Sequence, residues 1–430
     1  MSESQGERRY PNYVLAVLFF VYVFNFIDRT ILSILVEDIK RELGVSDTAM
    51  GFLTGIAFAV FYTVAGIPIA RWADVGVRRS IIALGLTVWS LMTAASGLVQ
   101  NFGQLVAARI GVGVGEAAGS PPAHSLIADY FPPERRATAL SIYSAGIYVG
   151  VLFGYLAGGW VNEFFGWRKA FFVVGLPGLL LALLVRFTVR EPSRGQSEPP
   201  RAPSEPAAVD EAPEPWQDVF RFLWSLRSFR HLAFGAGIAA FSGYGFAQWA
   251  PTFLRRVHGM SSGEVGTWLG LIIGLGGLLG APLGGWLADR KGHVDVRWYA
   301  WVPAVSAVAA IPFVLGFLLF DSVTPALVIY IPAVILSAMY LGPTLAMIQA
   351  MVKLRMRAMA SAVLFLILNL IGLGLGPQVV GALSDLLTPH YGQEAVRYSL
   401  LVVSLTAVWA GLHYALAART LADDLCAKDR

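Results

Sequence analysis

Four charged side chains sit where an apolar chain should carry none. Asp28 and Arg29 lie in "FNFIDRTILSIL" (24–35), inside an apolar run from Tyr13 to Leu35, and Arg109 and Glu116 lie in "ARIGVGVGEAAG" (108–119). A charge in mid-bilayer costs about 2.5–3.5 kcal/mol on insertion scales, so such residues face a cavity or a partner and are candidates for function. Burial away from water and the approach of an arginine act in opposite directions on a carboxylate's hold on its proton. A movement that changes the distance between such groups therefore moves a proton. On this chemistry Asp28 and Glu116 are the candidate proton-coupling groups, with Glu116 the main carrier. Arg29 and Arg109 are candidates for the substrate, because a guanidinium binds phosphate-like groups through two parallel hydrogen bonds. The alternative is a structural cluster that locks helices together and never titrates.

The elements that position these residues are membrane helices. Of the 430 residues, 56% are hydrophobic and 14% charged, against about 25% charged in ordinary soluble domains. Apolar runs of about 20 residues, each long enough to cross the hydrocarbon layer as a helix, recur near 13–35, 49–70, 80–99, 103–127, 137–160, 168–187, 230–254, 264–287, 298–319, 324–352, 358–384 and 397–418. The expected fold class is an all-α membrane protein of twelve transmembrane helices in two bundles of six. The first run carries charge and lacks a small-residue cleavage site, so it reads as a span and not as a cleaved signal.

The positive-inside rule orients the spans. With the N-terminus cytoplasmic, 23 of the 32 Lys and Arg fall in inner segments and seven in outer loops. Both termini are therefore expected inside. The 27 Arg against five Lys, with no organelle signal, point to a bacterial inner membrane. The net charge of +4 marks topology and does not call for nucleic acid.

At a rise of about 1.5 Å per residue, Glu116 is central in its span, Arg109 lies roughly 9 Å outside the midplane, and Asp28 and Arg29 lie roughly 6–8 Å outside it. Arg109 and Glu116 are two helical turns apart and share a face. The two acids and two bases are thus expected to form one cluster. "SPP" at 120–122 should kink the fourth span below Glu116.

Residues 191–215, "EPSRGQSEPPRAPSEPAAVDEAPEP", read as a flexible linker. "WQDVFRFLWSLRSF" after it reads as a short amphipathic helix on the inner face. The expected organisation is an N-terminal bundle over 1–190, a linker with its helix over 191–229, and a C-terminal bundle over 230–430. Two inner loops echo each other, "ARWADVGVRRS" and "GGWLADRKGHV", as in carriers built from two related halves. Asp74 with Arg78 and Arg79, Asp129 with Arg135 and Arg136, and Asp289 with Arg290 are candidates for a cytoplasmic gate.

These motifs resemble the major facilitator superfamily over essentially the whole chain. Its loop motif Gly-x-x-x-Asp-Arg-x-Gly-Arg-Arg is approximated by Ala70, Asp74, Arg78 and Arg79, and again by Gly285, Asp289, Arg290 and Gly292. Ala70, Val75 and His293 depart from it, and Tyr155 stands where the antiporter signature of the fifth span has proline. More narrowly, "FIDRTILSIL", "GVGEA" and "DYFPPERRATA" resemble the Spinster branch. That resemblance implies a proton-linked carrier of lysophospholipids or sphingosine phosphate, working by alternating access.

The second half has no deeply buried charge, but it places Tyr244, Gln248, Trp249, Tyr340, Gln349 and Asn369 in spans. Trp249, Tyr340 and Asn369 are the substrate-binding candidates there. One charged wall facing an apolar, aromatic wall suits an amphiphile with an anionic head and a long tail. A carrier of a small soluble organic anion is the alternative, and it would need more polar residues in the second half. A lipid-modifying enzyme would show a cluster of His, Asp, Ser or metal ligands at the membrane surface, and a channel would show a selectivity-filter pattern. Cys426 is the single cysteine and the six histidines show no close pair, so neither a metal site nor a cofactor is expected. The expected partners are a lipid-like amphiphile, protons and membrane lipids, around a monomer.

Overall fold

Every secondary-structure element among the described residues is a helix. The computed structural model describes residues 5–197, 216–353 and 356–427, so 198–215 of the expected linker lie outside it. The first half comprises α1 (Gln5–Leu43), α2 (Asp47–Thr54), α3 (Ile56–Val75), α4 (Arg78–Ser96), α5 (Phe102–Glu116), α6 (Ser120–Tyr130), α7 (Pro133–Phe165) and α8 (Trp167–Thr188). A short helix, α9 (Trp216–Ser225), precedes α10 (Arg227–Val257), α11 (Ser262–Gly292), α12 (Trp298–Leu319), α13 (Val323–Ser337) and α14 (Leu341–Ala350). The chain ends with α15 (Arg357–Ile367), a π-helical segment (Leu368–Leu375), α16 (Gly376–Tyr391), α17 (Ala395–Ser404) and α18 (Thr406–Ala427).

Nine helical runs among the described residues are long and apolar enough to cross a membrane. Three features reconcile nine with twelve. The fourth run is broken between α5 and α6, because Pro121 and Pro122 open α6 where no N–H is needed. The seventh, α10, has arginines only at its two ends, but the Gly, Ser, Gln and Thr residues between them lower its mean hydropathy. The last stretch, Arg357–Leu425, turns at Gly392, whose φ of 54° suits glycine, and α17 packs back against α16. The fold is that of a twelve-helix, multi-pass membrane protein.

The chain groups into two units. The first holds 1–45, 57–207 and 261–270, and the second holds 46–56, 208–260 and 271–430. In the first unit α1 lies on α7 along Gly146, Gly150, Gly154 and Gly158, one per turn. A Cβ on Gly150 would stand 2.5 Å from the Val23 carbonyl oxygen, and one on Gly154 3.1 Å from Ile27 Cα. Only a bare backbone allows that approach, and it sets α1 just where it carries Asp28 and Arg29. Gly115 does the same for α5 against α4, where its Cβ would meet Trp89 N at 2.7 Å.

In the second unit α9 shows two faces. Val219 and Leu223, with Leu226 just after the helix, join the buried core with Phe229, Leu232 and Tyr414, while Phe220 and Trp224 stack on each other at 5.6 Å and are exposed. The helix therefore packs on the unit with its apolar face.

A buried charge cluster as the candidate functional site

Arg29 reaches from α1 to α5, and its Nε donates to Glu116 Oε2 at 2.6 Å. The Glu116 side chain is fully buried and that of Arg29 is 15% exposed. The guanidinium is flanked by aromatic rings, with its Cζ 5.1 Å from the Phe26 and Phe58 centroids and 4.7 Å from that of Tyr62. Arg109 approaches the same Phe58 ring at 5.2 Å. One phenyl ring thus serves two guanidinium groups, and its electron-rich face offsets part of their repulsion.

Asp28 is 2% exposed and lies within Coulombic range of Glu116 and Arg109. The two acids and two bases converge in the first unit on α1 and α5. Thr93 faces Asp28 and Asn25 faces Glu116 within the cluster, while Arg109 Nε is buried with no hydrogen-bond partner. A buried polar atom without a partner costs about 1–3 kcal/mol, so burying four charged groups together here is costly. Phe26, Phe58 and Tyr62 were silent in the sequence, where aromatic residues on apolar helices are ordinary packing.

The second-half candidates are spread out. Trp249 is buried, and its Nε1 donates to the Pro377 carbonyl at 2.9 Å, which commits its polar handle to the unit's interior. Tyr340 packs beside the core with Tyr244. Gln349 Nε2 donates to Ser361 Oγ at 3.1 Å. Asn369 is part-buried in the π-helical segment, a kind of distortion frequent at functional sites.

The loop residues pair differently from the expectation. Arg78 is 1% exposed and pairs with Asp129 and with Glu191, the latter at 2.7 Å, while Asp74 is exposed. Arg79 bonds Glu191 through its backbone N–H and Val189 through Nη1. Asp129 bonds Arg78 and the Gly195 N–H, not Arg135 or Arg136. Arg136 Nη2 donates to the Ala128 carbonyl, and Arg135 is exposed. In the second loop Asp289 accepts from Tyr299 Oη at 2.7 Å, and Arg290 lies over the Trp286 ring at 5.3 Å. Residues 191–197 are thus a strap and not free linker. The buried Arg78 needs more than one carboxylate, and Glu191 supplies the second. Arg78→Ala is expected to lower stability by about 2 kcal/mol, below the 3–5 kcal/mol of a fully buried pair, because water reaches both carboxylates; the melting temperature of the purified protein tests it.

A second ion cluster was not expected at all. In the second unit Asp47, at the start of α2, receives both Arg256 nitrogens at 2.6 and 2.7 Å and the Ser384 hydroxyl at 2.6 Å. Asp385 accepts the Asp47 and Thr48 N–H groups at 3.0 and 2.7 Å, capping α2 where its N–H groups lack helical partners. From sequence, "SDT" reads as a local helix start and nothing more. A histidine pair was missed as well. His231 and His413 meet Nδ1 to Nδ1 at 3.1 Å, because α10 and α18 pack side by side. No group of three metal-ligating side chains exists among the described residues.

The family model for the Major Facilitator Superfamily matches residues 18–377. The chain belongs to that superfamily. It is 36% identical over 418 residues to an MFS-type efflux pump of Mycolicibacterium smegmatis, covering 97% of this chain and 94% of that one. It is 28% identical over 428 residues to human protein spinster homolog 1, covering 93% and 79%. The crystal structure of a bacterial homolog to the human lysosomal transporter Spinster, inward-facing and unoccupied, superposes with a TM-score of 0.88 at 34% identity over 98% of this chain and 99% of that one. This superfamily chain is a transporter related to Spinster, and not an enzyme.

Proposed function

We propose that this transporter is a proton-coupled carrier of amphiphilic lipids of the lysophospholipid or sphingosine phosphate type, working by alternating access as a monomer. It would act in a bacterial inner membrane with both termini cytoplasmic. The observation that carries the reading is the Arg29–Glu116 ion pair, buried beside Asp28 and Arg109. Arg29 moving from Glu116 to a phosphate group would leave a carboxylate without its cation, and a proton compensates that charge. Asp28 and Glu116 are then the coupling groups, and Arg29 and Arg109 hold the headgroup. Tyr340 and Asn369 would line the tail's path. Trp249 would support it through packing. The pairs made by Arg78, Asp129 and their neighbours, together with the Asp289–Arg290 loop, act as the cytoplasmic gate.

The test uses purified protein in liposomes under a set pH gradient, with a fluorescent lysophospholipid and a small aromatic acid as alternative cargoes. Gradient-driven uptake of the lysolipid is the expected result. Uptake of the acid alone would replace the lipid reading with carriage of a small soluble organic anion.

A further inference from the structure

One corner of the second unit carries a strip of aromatic rings that ends on the histidine pair. Phe220 and Trp224, exposed on α9, stack at 5.6 Å. Trp224 meets Phe234 of α10 at 5.9 Å, and Phe234 lies 5.8 Å from His413 of α18. Trp409, one turn before His413, stands 6.0 Å from it and is 57% exposed. Phe234, His231 and His413 are part-exposed. His231 is one turn into α10, which puts the pair near the lipid–water boundary, where a tryptophan such as Trp224 is also at home. Arg221 on α9 and Arg227 at the start of α10 are exposed, and Arg230 is part-exposed. The acids nearby are committed elsewhere. Asp218 pairs with Arg221 at 3.2 Å, and Asp424 accepts the Ser228 N–H and hydroxyl at 2.7 and 2.6 Å.

The histidine pair sets what this corner can hold. A contact from Nδ1 to Nδ1 at 3.1 Å needs a proton on one nitrogen and a lone pair on the other. With both rings neutral, the remaining Nε2 atoms are one donor and one acceptor. One added proton makes both of them donors and keeps the bond between the rings. Two donors bearing one positive charge match a phosphodiester, which only accepts and is negative. Among the described residues no carboxylate lies in range of either ring, and Arg230 adds positive charge beside His231. We propose that this corner binds an anionic phospholipid of the inner leaflet, with its phosphate on His231, His413 and Arg230 and an acyl chain along Phe234 and Trp409. A basic pocket between helices at the membrane face attracts such lipids. The site is independent of the cargo carried, and its leaflet follows from the orientation proposed above. Since the lipid favours the protonated pair, it binds more tightly as pH falls.

Native mass spectrometry of the delipidated full chain in detergent measures three probes: dioleoylphosphatidylglycerol, dioleoylglycerol, which has the chains alone, and glycerophosphate, which has the phosphate alone. Wild type, His413→Phe and Arg230→Gln are compared at about pH 6 and about pH 8, on either side of the ordinary histidine range. Phenylalanine keeps a ring against Phe234 and Trp409 and removes the N–H groups. Melting temperatures without lipid check the fold, and Arg230→Gln, on a part-exposed turn, carries the test if His413→Phe is unstable. Wild type should bind the phospholipid at least about tenfold more tightly than either fragment at the lower pH, and less tightly at the higher. Each variant should lower that affinity roughly tenfold, as loss of a charge-assisted hydrogen bond implies, and His413→Phe should also abolish the pH response. Dioleoylglycerol should change less than about twofold in both. Lipid lodged in a transport cavity does not answer to His413 or Arg230, so phospholipid binding equal in all three proteins overturns the site. Glycerophosphate bound as tightly as the phospholipid overturns the lipid assignment, and a pH response that survives in folded His413→Phe overturns the role of the histidines.

Discussion

Glu116→Gln is expected to reduce gradient-driven uptake of a lysolipid by at least about tenfold, a factor corresponding to about 1.4 kcal/mol. The substitution keeps the size of the side chain and an oxygen able to accept from Arg29 Nε, so the helix contact at 2.6 Å is preserved in form. What disappears is the group that binds and releases a proton. Asp28→Asn makes the same change in a side chain 2% exposed and within reach of Glu116 and Arg109, and it should act in the same direction. The decisive readout is the comparison of uptake with and without the pH gradient. A coupling carboxylate leaves gradient-independent exchange in place and removes the response to the gradient. A structural lock does the reverse, lowering the melting temperature while the remaining protein still responds. Uptake by both variants that tracks the gradient as in wild type would assign Asp28 and Glu116 to structure alone.

Asp47→Ala should lower stability by about 3–5 kcal/mol, the range for removing one partner of a buried ion pair. The Asp47 side chain is fully buried and that of Arg256 is 11% exposed, so water can do little for the stranded guanidinium. The loss comes mainly from that uncompensated charge. A charge-free double replacement, Asp47→Leu with Arg256→Met, should therefore recover a large part of it, since well-packed apolar pairs often equal buried ion pairs. Melting temperatures of the two variants decide the matter. If the double variant is as unstable as Asp47→Ala, the cluster stabilises through its geometry and the Asp385 cap more than through charge.

Much of the molecule is legible in the order of its amino acids. Length and apolarity of the runs set the spans, because a helix in lipid must satisfy its own backbone and present apolar side chains along its whole length. Both requirements are local, so they are written into consecutive residues. The buried charges are legible for the same reason: Asp28, Arg29, Arg109 and Glu116 break a local rule, and the prolines of "SPP" mark the end of α5 before α6. Their partners are not. Arg29 stands beside Asp28 in sequence yet bonds Glu116, 87 positions away. Arg78 joins Asp129 and Glu191 and not the nearby Asp74. Asp47 finds Arg256, and His231 finds His413.

Each of those choices depends on how one helix is rotated and shifted against another. For the helices that carry Arg29 and Glu116, backbone contacts at Gly115, Gly150 and Gly154 set it. Sequence placed the charges in the membrane by itself, because insertion is a property of one segment and its solvent. Only the tertiary structure decided which charge answers which, and put three rings around Arg29, because a few ångströms of sliding between helices changes every partner and leaves the apolar pattern as it was.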